Sequence, residues 1–197
     1  MNGSLSTYSV DASDRLHLRL DDANRGLSPS RIRDRNLRFD AFLATASRHV
    51  SAVETVLVDV TKKHLEESRA HELRSECHSL QLALRTMQAR LYGSSQVMRI
   101  PWRDVQAAVS RHLERLLALE ASLTADLDSI PEAELLRITE RLISAELHAP
   151  TRPHPHLPRR GLRGRLARYL AARADVFWDG VQGRVAPTPG ANGELAD

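Results

Sequence analysis

Residues 39–60 read FDAFLATASRHVSAVETVLVDV. Phe39, Leu43, Ala46, Val50, Val53, Leu57 and Val60 recur at steps of three and four, the spacing that stacks side chains on one face of an α-helix. Neither glycine nor proline occurs anywhere between Leu37 and Tyr92, and no alternation of period two is sustained, so strands are disfavoured. A helix with so broad an apolar face is stable only when other helices cover it, which sets the class as all-α. The polar intruder in this stripe is His49.

Outward from this stretch, a first helix is predicted from about Asp11 to Asn24, with Leu16, Leu20 and Ala23 on one side and Gly26 just past its end. Ser28 and Pro29 then offer an N-cap and a first helical residue. The second helix ends near Lys62 and Lys63, inside a polar stretch without a breaker. A third helix carries Leu73, Cys77, Leu80, Leu84, Met87 and Leu91 and stops at Gly93. Pro101 opens a fourth, whose inner face is predicted as Trp102, Val105, Val109, His112, Leu116, Leu119 or Glu120, Leu123 and Leu127. Pro131 and Glu132 start a fifth, running to about Leu147. The segment PTRPHPHLPRRG is too rich in proline for a helix. The division is then 1–148 as a helical bundle, 149–185 as a connector and amphipathic helix packed on it, and 186–197 as a disordered tail.

A chain of 197 residues holds one sizeable core. Its charged residues make up 27% of the chain and nearly balance, leaving a formal net charge of +3. That excess is too small to call for nucleic acid. Cys77, the single cysteine, excludes an internal disulfide and a multi-thiolate zinc site. No apolar run approaches the roughly 20 residues that span a bilayer, and the first residues lack an export signal, so the chain reads as soluble and cytoplasmic. A phosphate-cradling glycine loop and a recognisable nucleophile motif are both missing, which disfavours nucleotide-binding and hydrolase readings and makes an enzyme the weaker expectation.

His17, His49, His78 and His112 fall one per successive helix. With ARLYGS at 89–94, Pro101–Trp102, RHLERLLALE at 111–120, APTRPHPHLP at 149–158 and FWDGVQGRV at 177–185, this order resembles the hemerythrin-like (HHE cation-binding) proteins, in particular the longer actinobacterial type. The resemblance implies an up-and-down four-helix bundle with additional C-terminal helices. It also implies non-haem iron held by histidines and bridging carboxylates, binding dioxygen or handling iron and peroxide.

Residue by residue, that pattern is thinned. The family's second helix has a carboxylate four residues after its histidine, where this chain has Val53. Glu54 follows one residue later, turned about 140° from His49 instead of about 40°. In the fourth helix the carboxylate positions hold Leu116 and Leu117. His49 and His112 sit within apolar stripes, His17 at the margin of one, and His71 and His78 face outward. The best surviving metal ligands are therefore His49 and His112, then His17 and Glu54. Glu120 faces inward and calls for a bundle end or an arginine partner. The expected function is cation binding, or small-ligand or redox sensing, around a reduced or lost iron centre. The alternative is a metal-free scaffold that holds a protein partner, a second copy, or less favourably a membrane surface, through its helical surface and arginine-rich last helix.

Overall fold

The computed structural model describes residues 4–25, 32–95 and 97–153. Every regular element among them is helical: α1 (Leu5–Arg25), α2 (Ile32–Ala52), α3 (Val58–His64), α4 (Glu67–Leu91), α5 (Trp102–Asp126) and α6 (Glu132–Leu147). A single π turn, Val53–Leu57, joins α2 to α3, and a 3₁₀ turn, Leu127–Ser129, follows α5. The restart expected at Ser28–Pro29, the connector beyond Pro153, the amphipathic helix reaching 185 and the tail 186–197 lie outside the described residues.

α1 begins at Leu5, six residues before the start expected near Asp11, and Leu5, Tyr8 and Ala12 extend its buried stripe. Ser4 sits before the first turn, its Oγ accepting the Thr7 N–H at 3.2 Å, while its carbonyl takes the Tyr8 N–H at 3.0 Å. This side-chain cap satisfies an otherwise orphaned donor and lets the helix start at Leu5. Tyr8 and Arg15 are thereby set on the same helix as Leu16 and Leu20.

The stripe that fixed the class is buried throughout: Phe39, Leu43, Ala46, Val50, Val53, Leu57 and Val60 all belong to the core. After His49 the helix widens into the π turn, so Val56, Leu57 and Val58 are buried in succession. An inserted residue of this kind shifts the buried face around the axis. The continuation ends at His64. Leu65, at φ −122°, ψ −148°, and the extended Glu66 make the turn that the polar sequence concealed. α4 closes at Leu91 with Gly93 at φ +75°, the left-handed conformation that glycine adopts without steric cost.

α1 packs against α2 and α5, and α4 packs against α2 and α5. Leu73, Cys77, Leu80, Leu84 and Met87 from α4 and Val105, Val109, Leu113, Leu116 and Leu123 from α5 complete the core. Phe39 meets Trp102 edge to face, centroids 5.1 Å apart. α6 lies on α2, the π turn and α1, contributing Ile138 and Leu142. No described helix is long and apolar enough to cross a membrane.

Candidate functional site

His49 is fully buried, and both of its ring nitrogens are engaged. Nδ1 donates to Glu146 Oε1 at 2.8 Å and Nε2 donates to Glu120 Oε2 at 2.9 Å. Three helices build this contact: α2 brings the imidazole, α5 one carboxylate and α6 the other. From α1, the Arg15 guanidinium donates through one nitrogen to both Glu146 oxygens, at 3.0 and 3.2 Å. The Tyr8 ring flanks the imidazole, with centroids 6.3 Å apart and planes 30° from parallel. Its hydroxyl is buried beside Glu146, and Glu120 Oε1 is buried with no hydrogen-bond partner among the described residues.

Electrostatics follow from this packing. Burial alone would push the His49 pKa down, but the Glu120 and Glu146 carboxylates outweigh it and push it up to about 10. At neutral pH the ring is an imidazolium with both N–H groups donating. Burial works to raise the Glu146 carboxyl, yet the His49 bond and charge and the Arg15 charge hold it below the ordinary range. For Tyr8, burial and then the Glu146 and Glu120 charges raise the phenol well above its usual value. In their ionised forms Arg15, His49, Glu120 and Glu146 sum to zero, which is how a charged group survives in a protein interior.

The other sequence-predicted ligands are dispersed. His112 lies at the margin of α5, donating from Nδ1 to Glu76 of α4, and its side chain is 23% exposed. The stripe steps four residues from Val109 to buried Leu113 instead of three to His112, since an apolar residue gains more from the inward position than an imidazole. His17 faces α5, with Nε2 on Glu114 at 2.8 Å and Nδ1 on the Ser13 carbonyl at 2.9 Å. Glu54, in the π turn, accepts the Gln81 amide at 3.2 Å. His71 is exposed and His78 half-buried on α4. In place of the expected bundle end or arginine, the partner of Glu120 among the described residues is His49.

Of the four predicted ligands, only His49 enters the buried cluster. Glu146, Arg15 and Tyr8 escaped the sequence reading. Glu146 left a signal, because it extends the α6 run Leu135, Ile138, Leu142 by one more step of four, and a carboxylate on such a stripe requires a partner. Tyr8 precedes the predicted start of α1. Arg15 adjoins Leu16 in sequence and carried no mark of its own.

This donor set does not fit a pair of iron ions. The two nitrogens of an imidazole diverge, so Glu120 and Glu146 lie on opposite sides of the ring instead of converging on one point. The negative charge of Glu146 is also shared with Arg15. Among the described residues, no group of three or more His, Cys, Asp and Glu side chains is placed to hold a metal ion. Comparison with protein-family models, with curated proteins and with solved structures returns no match.

Proposed function

We propose that the chain is a hemerythrin-like four-helix bundle, formed by α1, the α2–α3 continuation, α4 and α5, in which a buried ion network stands where the family keeps its iron. On this reading it is a small-ligand-sensing bundle whose metal centre is lost. One observation carries the proposal: His49 donates from both ring nitrogens to carboxylates. A nitrogen that carries a proton has no lone pair to give a cation, and a group with a pKa of about 10 surrenders that proton reluctantly at neutral pH.

A second reading, a single cation held by His49 and Glu120, is favoured by Glu120 Oε1, buried and unpartnered among the described residues. It requires the ion to displace the His49 proton beside the Arg15 charge.

Elemental analysis of protein purified without a histidine tag, together with its optical spectrum, separates the two. The proposal expects substoichiometric transition metal and a featureless visible spectrum. Stoichiometric iron with an oxo-bridge absorption overturns it, and one equivalent of metal bound with release of one proton supports the second reading.

A further inference from the structure

Glu146 occupies its place much as a ligand would. Its two oxygens receive hydrogen bonds from Arg15 and from the fully buried His49, donors that belong to α1 and α2, while the carboxylate arrives on α6. The Tyr8 hydroxyl is buried beside the same carboxylate, whose charge and hydrogen bond help to raise its pKa. We propose that Arg15, His49 and Tyr8 form a binding site for a small monocarboxylate, which the resting chain fills with its own Glu146.

Charge selects the ligand class. Counted with His49 protonated and Glu120 ionised, the site without Glu146 sets the charges of Arg15 and His49 against that of Glu120, a net +1. A monoanion restores neutrality, a dianion such as sulfate overshoots it, and a cation is repelled. Shape agrees with charge, because the atoms of Glu146 beyond Cβ are those of an acetate ion. Donor geometry agrees as well: a guanidinium addressing both oxygens and an imidazolium N–H on one of them recognise a planar carboxylate better than spherical chloride.

The rest of α6 is attached modestly. Ile138 and Leu142 are its large buried apolar residues, and Thr139 returns its hydroxyl to the Leu135 carbonyl of its own helix. Near its start, Glu134 accepts Lys63 at 2.7 Å and His64 at 3.1 Å, at the protein surface. A carboxylate that takes the site from Glu146 therefore loosens the C-terminal half of α6, which links occupancy to the shape of the surface. This inference rests on the small-ligand reading above and names its ligand.

The test is rescue of the full-length Glu146→Ala variant by sodium acetate, against sodium chloride at equal ionic strength. The site predicts that acetate restores stability saturably, raising the folded-to-unfolded ratio by about tenfold when acetate is ten times its dissociation constant. Sulfate restores less, and adding Arg15→Met abolishes the effect. If Glu146→Ala does not fold, Glu146→Ser removes the same charge and leaves room beside the guanidinium, and acetate stabilises it more than chloride does. In the wild type, acetate accelerates amide hydrogen exchange in the C-terminal half of α6 more than chloride does. Equal effects of acetate and chloride on both variant and wild type, or rescue that survives Arg15→Met, overturn the site. Metal analysis decides the broader reading independently, so failure of one is distinguishable from failure of the other.

Discussion

Replacing His49 by leucine removes the only hydrogen-bond donor among the described residues that reaches Glu120, whose side chain, like that of His49, has 0% exposure. Breaking one side of such a buried pair costs about 3–5 kcal/mol, because the remaining carboxylate stays desolvated and uncompensated. For a chain near 200 residues each kcal/mol moves the melting temperature by about 2–4 °C, so Tm falls by roughly 6–20 °C. Urea denaturation followed by circular dichroism gives the same quantity as a change in midpoint at constant slope. The double variant His49→Leu/Glu120→Leu removes the stranded charge and regains at least half of the loss, since Glu146 keeps Arg15. The pH profile supplies an independent check. His49 has a raised folded-state pKa, so its stabilisation is complete below about 6.5 and is lost as pH rises through about 10. The gap between wild type and His49→Leu therefore narrows as pH rises from about 6.5 to about 10. A single-variant loss under about 1 kcal/mol, the size of an exposed pair, or a double variant less stable than the single one, refutes the buried-network reasoning.

Three further outcomes follow from the same geometry. Leu113→Ala costs about 2–5 kcal/mol, whereas His112→Ala stays within about 1 kcal/mol; equal losses in thermal unfolding would show the α5 register to be the one with His112 inside. His17, raised chiefly by its hydrogen bond to Glu114, titrates above the ordinary histidine range in NMR, and its contribution, full below about 6.5, fades as pH rises through that raised value. In Glu114→Gln the titration returns toward the ordinary range. Gly93→Ala meets no neighbouring atom within 4 Å but still costs about 1 kcal/mol, through the positive φ alone, in chemical denaturation.

Periodicity in the sequence carried the architecture because burial is decided one helix face at a time. The stripe from Phe39 to Val60, the α4 run from Leu73 to Met87, and the proline starts at Pro101 and Pro131 are local signals, and each maps onto a described helix. Where two residues competed for one inward position, as His112 and Leu113 did, spacing by itself could not choose. The neighbouring helices settled it by accepting the apolar side chain. The start of α1 was legible and was missed: Leu5, Tyr8, Ala12 and Leu16 continue the stripe at steps of three and four, and Ser4 caps it through a hydrogen bond.

His49 shows both halves of the lesson. Its place in an apolar stripe could be read from the chain, and so could the inward direction of Glu120. Their meeting could not, because positions 49 and 120 are joined only when α1 and α4 set α2 and α5 facing one another across the core, and Glu146 and Arg15 enter from two further helices. Local sequence determined which faces are apolar, since that depends on residues three and four apart. Tertiary packing alone decided which polar groups share an interior, since a buried charge is tolerated only where chains distant in sequence bring its counter-charge within hydrogen-bonding distance.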